Sequence, residues 1–381
     1  MSERCLYKQC SDIIGGDTVY GEATDMPEKA ILYEDVDGTR YEVDLPLTSN
    51  VDPEEIRDEL GIPSYVDMNY FPMRSAMVSI WAALNAKELH KKYPEAFKKR
   101  VSKKPIPVLL FGGAAVKIHC KDANGTGPLS RKIKDTDYIV PKKQGLDFYK
   151  LLLNMDRAFG NQYKSFKTKS DGIFNAIRHG DRYRIRTIEG IAEGGIPIVG
   201  VMDILCDRIS LRHEIEVKDA FEEPRENLYT IGIEYLILSK TQFIMDYPKE
   251  KLDRLREYKQ EYRILPYPYY ADDKVVLGME DKDVKDICAI FLDHLIGNGT
   301  GEINPDKIRK VLERDQKIAL TTTLNLANLV EKPDAFKKWV KKSEATAITD
   351  GIQTLLKSLP KVNKKWDKPW WNTAVETPII E

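Results

Sequence analysis

A short apolar segment that ends in two glycines constrains this chain more than any other feature. Residues 108–111 are Val-Leu-Leu-Phe, which suits a central strand, and Gly112 and Gly113 follow at once. A helix-compatible stretch then runs from Ala114 to His119. Two glycines permit a tight turn and expose backbone N–H groups at a helix start, where a phosphate is well received. Taken alone they indicate only an ordinary turn, so their interpretation depends on the residues further along the chain.

Two aspartates stand on the next predicted strand. Asp135 and Asp137 open the segment from 135 to 140, which Pro141 bounds. Alternation along a strand places both carboxylates on the same face. Two carboxylates so close repel each other unless a cation lies between them, and hard oxygen ligands suit Mg²⁺. Without context the pair fits surface charge better, but the preceding glycine turn favours a metal and nucleotide site.

A third aspartate interrupts an otherwise apolar run. Asp203 lies within a predicted strand from Ile196 to Cys206. A buried carboxylate is costly unless a positive or hydrogen-bonding group meets it. We expect a metal shared with Asp135 and Asp137 to meet that need. The alternative is an aspartate at a strand end that reaches solvent.

Two basic residues are candidates for contacting phosphates. Lys240 falls on an apolar helical stripe that includes Ile233 and Ile237, so it either extends to water or points at an internal anion such as a triphosphate. Arg131 lies four residues before Asp135. It would place a second cation near the same phosphates, or else form a surface salt bridge.

The rest of the sequence predicts an α+β protein. The predicted strands are an N-terminal hairpin over 30–33 and 41–45 with Asp37-Gly38 at its turn, and a second hairpin over 173–178 and 183–188. The predicted helices are a short one from Asp52-Pro53 to Gly61, a long amphipathic one from Met73 to about Lys99 that breaks near Pro94, one over 146–159, and nearly everything after Tyr229 except 265–270. Residues 121–131 have the composition of a loop.

Charge is unevenly distributed along the chain. Residues 1–60 hold 16 acidic and 5 basic side chains, whereas residues 303–368 hold 15 basic and 8 acidic ones. The basic end would suit an anionic partner such as RNA, although a lysine-rich solvated helix face explains it equally well. The residues concerned are Lys337, Lys338, Lys341, Lys342, Lys364 and Lys365, with the neighbouring Trp339, Trp366, Trp370 and Trp371.

From the features below we expect the protein to lie in the cytoplasm and not in a membrane. No apolar run approaches the ~20 residues needed to span a bilayer, and the first residues lack the order of a secretion signal. Five scattered cysteines predict reduced, mostly buried thiols rather than a zinc site. They are Cys5, Cys10, Cys120, Cys206 and Cys288. The sequence does not indicate an oligomeric state.

The order of these motifs resembles the abortive-infection toxin family of nucleotidyltransferases, within the polymerase-β-like superfamily. The likeness covers residues 105–295 and rests on Gly112-Gly-Ala-Ala-Val-Lys-Ile-His119 followed by Arg131-Lys-Ile-Lys-Asp135-Thr-Asp137. Members of the family carry a third carboxylate on a later strand, which matches Asp203. They then show a helical lysine and a Lys-Asp-x-x-Asp-like helix. Here these match Lys240 and the segment Lys282-Asp283-Val-Lys-Asp286.

The resemblance implies a reaction and a set of site residues. A polymerase-β-like core with a small mixed sheet (71–228) would follow an acidic N-terminal appendage (1–70), and a helical C-terminal domain (229–381) would close over a nucleoside triphosphate. A nucleoside monophosphate would pass to a hydroxyl of RNA such as tRNA, of a protein or of a small molecule, and pyrophosphate would leave. The catalytic and Mg²⁺- or Mn²⁺-binding residues would be Asp135, Asp137 and Asp203, and the nucleotide-binding residues Gly112, Gly113, Arg131, Lys240 and Asp286.

Two departures from the family pattern bear on substrate choice. Ile133 stands where the family usually has Ser or Thr, and Thr136 replaces an aliphatic residue at the centre of Asp-x-Asp. Neither removes a metal ligand. Two other functions remain open: a glycosyltransferase that binds a nucleotide sugar through Mn²⁺ on Asp-x-Asp, and a catalytically silent protein that holds RNA with its basic end.

Overall fold

A computed structural model shows a mixed α+β protein. It describes residues 28–34, 40–45, 53–68, 70–92, 94, 104–133, 135–159, 164–166, 175–176, 178, 180–192, 196–222, 229–242, 245–248, 269–271, 274–277, 279–362 and 370–371. The strands are β1 (Glu28–Glu34), β2 (Arg40–Leu45), β3 (Leu109–Phe111), β4 (Asp135–Val140), β5 (Lys164–Phe166), β6 (Arg182–Ala192), β7 (Ile196–Cys206), β8 (Arg208–Ser210), β9 (Glu214–Glu216), β10 (Met245–Pro248), β11 (Tyr269–Ala271) and β12 (Lys274–Leu277).

Helices flank these strands and dominate the C-terminal half. They are α1 (Pro53–Leu60), α2 (Phe71–Leu84), α3 (Ala86–Lys92), α4 (Gly112–His119), α5 (Lys142–Phe159), α6 (Ile233–Lys240), α7 (Asp281–Asp293), α8 (Pro305–Arg314), α9 (Gln316–Glu331), α10 (Asp334–Lys337) and α11 (Lys342–Ser358). Among the described residues, no helix combines the length and apolar character needed to cross a bilayer.

A mixed five-stranded sheet forms the centre of the molecule. Its order is β3-β4-β7-β6-β5, with β4 and β7 parallel and the other neighbours antiparallel. Helix α5 covers one face, where the ring of Phe148 meets Tyr138 edge-on at 5.2 Å and the ring of Tyr149 stacks on Tyr183 at 5.1 Å. Because side chains alternate along a strand, the residues next to Tyr138 on β4 and next to Tyr183 on β6 point to the opposite face.

The C-terminal helices are joined to the sheet through its β3 edge. Leu110 donates its N–H to the carbonyl of Tyr229 at 2.6 Å, and Ile231 donates to the carbonyl of Leu110 at 3.0 Å. This extension leads directly into α6, and α7 packs against both α4 and α6. One continuous apolar core includes residues of the sheet and of the C-terminal helices. The three-part domain division stays a prediction.

Several predicted elements are confirmed. Strands β4 and β7 have the predicted bounds, and β1 pairs with β2 as the predicted N-terminal hairpin, although its turn lies outside the described residues. Helix α1 ends at Gly61, whose φ of +63° is the left-handed conformation that glycine adopts readily. Ile62 then donates to the carbonyl of Arg57 at 2.9 Å, which closes the helix.

The predicted long amphipathic helix over 73–99 is wrong in two respects. The chain already leaves the helix at Asn85, between α2 and α3, and α3 then ends at Lys92, close to the predicted break at Pro94, while residues 95–99 lie outside the described residues. Helix α2 is also buried on its polar side, where Arg74, Ser75 and Ser79 are all inaccessible. The reason is its central position, because it contacts α1, α4, α5 and both β3 and β4.

The predicted hairpin over 173–178 and 183–188 is also wrong. Residues 175 and 176 are helical, and the antiparallel neighbours of β6 are β5 and β7. The side chain of Asn175 makes the backbone hydrogen bonds to Arg184 that a paired strand would make. Its Oδ1 accepts from the backbone N–H of Arg184 at 2.7 Å, and its Nδ2 donates to the Arg184 carbonyl at 3.3 Å.

Two further boundaries differ from the sequence prediction. Strands β10, β12 and β11 form a three-stranded antiparallel sheet inside the region predicted to be helical. Helix α5 begins at Lys142 rather than at residue 146. There the carboxylate of Asp207 accepts from the N–H of Lys142 at 3.0 Å, so a residue distant in sequence stabilises the first turn.

The described cysteines are free and buried, as predicted. They are Cys120, Cys206 and Cys288, while Cys5 and Cys10 lie outside the described residues. Burial raises the pKa of Cys206 to about 12, with smaller contributions from neighbouring acidic groups. This thiol therefore stays protonated at neutral pH and has the character of a small core side chain.

Candidate active site

One row of residues crosses four strands of the central sheet. Phe111 on β3 is opposite Asp137 on β4, Asp137 is opposite Asp203 on β7, and Asp203 is opposite Arg184 on β6. Residues paired in this way share a face of the sheet. Asp135 lies two residues before Asp137 and belongs to the same face. The structure therefore brings together the three carboxylates that the sequence analysis grouped.

Asp137 lies at the centre of this row, half-buried between two other carboxylates. Burial raises its pKa to about 8, and the negative charges of Asp135 and Asp203 add to the effect. Arg182 and Lys240 act in the opposite direction but do not cancel it. The carboxyl group is thus protonated near neutral pH, and a cation placed against it would restore the ionised form.

Asp203 has partners that the sequence analysis missed. Its Oδ2 accepts from Arg182 at 2.7 Å, and Arg184 contacts both carboxylate oxygens, at 2.8 Å from Nε and 2.9 Å from a terminal nitrogen. Only 2% of Asp203 is exposed. Burial alone would raise its pKa, but the two guanidinium groups hold the pKa below its usual value. Asp203 is therefore ionised, and arginines engage both of its oxygens.

Two arginines meet the buried charge of Asp203 in this structure, because both stand at alternate positions of the neighbouring strand and share its face. The expectation of a metal shared with Asp135 and Asp137 stays a prediction. Within the described ranges, no group of three or more His, Cys, Asp or Glu side chains is arranged to hold a metal ion. The sequence signal was available in part, since Arg184 lies in the predicted strand over 183–188 and Arg182 precedes that strand by one residue.

The two glycines make room for the site residues. Gly112 has a φ of +71°, and a Cβ atom there would lie 2.5 Å from Oδ2 of Asp137. A Cβ atom on Gly113 would overlap the guanidinium group of Arg131. The start of α4 can therefore approach Asp137 and Arg131 only because Gly112 and Gly113 have no side chains.

Replacing Gly112 by alanine is expected to destabilise the protein and displace Asp137. The left-handed conformation alone costs an L-residue roughly 1–2 kcal/mol, and the contact with Asp137 adds to that cost. Gly125→Ala is the matched control, because Gly125 has a φ of +66° but nothing within 4 Å of its Cβ position. Chemical unfolding of both variants measures the difference. Equal losses for the two variants would show that the contact with Asp137 is unimportant.

The predicted nucleotide-binding residues Arg131, Lys240 and Asp286 form a buried ion-pair network. Arg131 donates two hydrogen bonds to Asp286, at 2.8 and 2.7 Å. Lys240 contacts Asp286 at 2.9 Å and Asp283 at 3.0 Å. Burial alone would raise the pKa of Asp286, but Arg131 and Lys240 hold it well below the usual range. The network ties α6 and α7 to the segment that precedes β4.

This network shows which partners the two basic residues have in this structure, while their contact with phosphates stays a prediction. Lys240 is buried and does not extend to water, because the internal anions that it meets are carboxylates of α7. Arg131 pairs with Asp286 in the interior rather than at the surface. The network adjoins the aspartate row, since Asp135 raises the pKa of Arg131 while Lys240 lowers that of Asp137.

No protein-family model matches the chain, and no curated protein matches it significantly.

Proposed function

We propose that this chain is a divalent-metal-dependent nucleotidyltransferase with a polymerase-β-like core, which transfers a nucleoside monophosphate from a nucleoside triphosphate to a hydroxyl group. The observation that carries the proposal is the pairing of Asp137 with Asp203 on adjacent parallel strands, beside a helix that begins with two glycines. The motif order that resembles the abortive-infection toxin nucleotidyltransferases supports the same assignment.

The donor set at the site fits Mg²⁺ or Mn²⁺ through two of the three aspartates. Asp135 is exposed and Asp137 is half-buried beside it, so both offer hard oxygen ligands on one face. Burial raises the pKa of Asp137 to about 8, and the charges of Asp135 and Asp203 add to this effect, so a cation bound there would favour the ionised carboxylate. Asp203 could serve as a third metal ligand only after its oxygens leave Arg182 and Arg184. When bound, such an ion neutralises triphosphate oxygens and polarises the reacting phosphate.

Other residues of the chain would bind and orient the substrate. The backbone N–H groups at the start of α4 would receive a phosphate, since the glycines leave the backbone open there. Arg131, Lys240 and Asp286 would act as positioning residues, because they hold α6 and α7 against the sheet that carries the aspartates. Once its oxygens leave Arg182 and Arg184, Asp203, which lies opposite Asp137, would be placed to receive the proton of an attacking hydroxyl.

A transfer assay tests the proposal. The full chain would be incubated with each α-labelled nucleoside triphosphate, Mg²⁺ or Mn²⁺, and either tRNA, total RNA or cellular protein, and label on the acceptor would be measured. A parallel reaction with nucleotide sugars and Mn²⁺ tests the glycosyltransferase alternative. Label transfer that requires divalent metal supports the proposal. No label on any acceptor, together with no divalent-metal binding, contradicts it.

A catalytically silent protein that holds RNA is a second candidate, favoured by one observation. Both oxygens of Asp203 are engaged by arginines, and this leaves two carboxylates for a metal. Such a protein would bind RNA but would transfer no label to it in the assay above. A nucleotidyltransferase would transfer label when a divalent metal is present.

An RNA acceptor would find a basic and aromatic surface beside α7. The ammonium groups of Lys338 and Lys285 lie 4.5 and 5.1 Å from the centre of the Trp339 ring. Lys285 also donates to the carbonyl of Ser130, next to Arg131, at 3.4 Å. Trp371 is buried and Trp370 donates to Thr321, so these two rings belong to the helical core. Trp366, Lys364 and Lys365 lie outside the described residues.

If this surface binds RNA, affinity should fall steeply with salt. The expected log–log slope is roughly −0.7 for each phosphate contacted on a single strand. Lys338→Glu should weaken binding several-fold and make the slope shallower, because it reverses a charge at the surface. Lys218→Glu is the control, since Lys218 is exposed on a different element. Filter binding at several salt concentrations measures both, and equal effects of the two variants would exclude this surface.

A further inference from the structure

Lys117 on α4 is a buried cation that meets no carboxylate at ion-pair distance within the described residues. Only 6% of the residue is exposed. Its ammonium group donates to the carbonyl of Ala123 at 2.6 Å and to the Oγ of Ser130 at 3.3 Å. The centre of the Tyr70 ring lies 5.8 Å from the same nitrogen. A carbonyl, a hydroxyl and an aromatic face thus surround the charge.

This environment is unfavourable for an ammonium group. Burial lowers the pKa of Lys117 to about 8, and the positive charge of Arg131 acts in the same direction. The negative charges of Asp286 and Asp67 oppose the shift without cancelling it. Burying a charge that only neutral groups meet costs free energy, whereas an apolar side chain would fill the same space without that cost. What the ammonium group provides at this position is therefore its contacts.

Both hydrogen-bond acceptors of Lys117 belong to the segment 121–131. One lies near the start of the segment, and the other, Ser130, immediately precedes Arg131. The ammonium group therefore closes the segment against α4. Helical spacing places Lys117 on the same face of α4 as Gly113, whose missing Cβ leaves room for the Arg131 guanidinium. The closure thus acts beside the start of α4.

We propose that Lys117 is a positioning residue, whose ammonium group holds residues 121–131 on α4 and thereby sets Arg131 beside the start of that helix. The inference rests on the proposed function only for what Arg131 then does, which is to hold α7 against the sheet that carries the aspartates. Loss of the proton would replace charge-assisted hydrogen bonds by neutral ones, which are roughly half as strong. The segment should then loosen as Lys117 becomes neutral.

Hydrogen exchange of the full chain in EDTA tests the inference without metal, acceptor or turnover. Mass spectrometry would follow the amides of residues 121–131, corrected for intrinsic exchange rates, with α11 as the internal reference. We expect these amides to exchange at least about tenfold faster in Lys117→Met, because hydrogen bonds from a charged donor are lost. Lys117→Arg keeps the charge and should lie between that variant and the wild type. Lys121→Met is the matched control, since Lys121 is exposed in the same segment.

A comparison at pH 7 and pH 9 separates charge-dependent closure from packing. Protection of residues 121–131 in the wild type should fall several-fold at the higher pH, because Lys117 loses its proton in this interval. Lys117→Arg should keep its protection, since a guanidinium stays charged. Equal exchange in Lys117→Met and Lys121→Met overturns the inference, and so does an equal pH effect in the wild type and Lys117→Arg. If Lys117→Met does not unfold cooperatively on heating, the pH comparison decides alone.

The transfer assay then links the segment to the proposed reaction. Lys117→Met should lower label transfer at least about tenfold, and Lys117→Arg should recover part of the loss, because the charge that places Arg131 is restored. Transfer that is unchanged in Lys117→Met overturns the positioning role. A wild type that shows the expected exchange but transfers no label would remove the proposed function and leave the closure of residues 121–131 by Lys117 standing.

Discussion

Removal of the Asp286 carboxylate by Asp286→Ala is expected to lower the free energy of unfolding by about 3–5 kcal/mol. Asp286 is 2% exposed and contacts both Arg131 and Lys240, so its loss leaves the partly buried Arg131 without its carboxylate and the buried Lys240 with Asp283 alone. Buried pairs behave in this way because desolvated charge has no water to replace a missing counter-ion. Urea unfolding of the wild type and the variant measures the effect.

An exposed ion pair gives the control for this prediction. Asp181 contacts Lys142 at 2.6 Å, and about half of each side chain is exposed. Asp181→Ala should therefore change stability by less than about 1 kcal/mol. If Asp286→Ala were as mild as Asp181→Ala, the network would not be holding α7 on the sheet, and its residues would be free to serve as nucleotide contacts.

Asp137→Ala is expected to reduce nucleotidyl transfer by roughly 10³-fold or more and to abolish divalent-metal binding, with the fold retained. Metal-assisted charge stabilisation is worth several kcal/mol, and each 1.36 kcal/mol corresponds to a factor of ten in rate. Asp135→Ala should behave in the same way, because both carboxylates lie on one face of β4. Transfer assays and Mn²⁺ titration measure the two effects. Full activity in either variant would contradict the assignment of Asp135 and Asp137 as metal ligands.

The pH dependence of stability gives an independent check on Asp137. Its folded pKa, raised to about 8 by burial and by two carboxylates, lies above the ~3.9 of an unfolded aspartate. The folded state therefore holds its proton more tightly, so the contribution to stability is complete below pH 4 and is lost as pH rises through about 8. Thermal unfolding in EDTA should show a fall in Tm between about pH 4 and pH 8 that Asp137→Asn removes. If Tm varied with pH in the same way for the wild type and for Asp137→Asn, the raised pKa of Asp137 would be contradicted.

The same comparison in the presence of Mg²⁺ separates charge from metal binding. A divalent ion at Asp135 and Asp137 favours the ionised carboxylate and so should flatten the wild-type profile. Asp137→Asn should show no change on addition of Mg²⁺. The paired measurement thus reports on the donor set without an assay of turnover.

The sequence by itself determined the local part of the site. The apolar run with its terminal glycines predicted β3 and the start of α4, and alternation along β4 placed Asp135 and Asp137 on one face. These features follow from side-chain period and backbone conformation, which depend on a few neighbouring residues. The burial of Asp203 was predictable for the same reason, because the residues around it are apolar.

Only the tertiary structure decided which groups meet. The register that sets Asp137 opposite Asp203 joins residues far apart in sequence, and the same register brings Arg184 onto Asp203. Asp286 receives Arg131 and Lys240 because α7 packs against α4 and α6. A one-residue slip of register or a rotated helix would give these charges other partners while leaving every local pattern unchanged. Charge partners are thus set by strand register and helix packing, which the local sequence pattern does not specify.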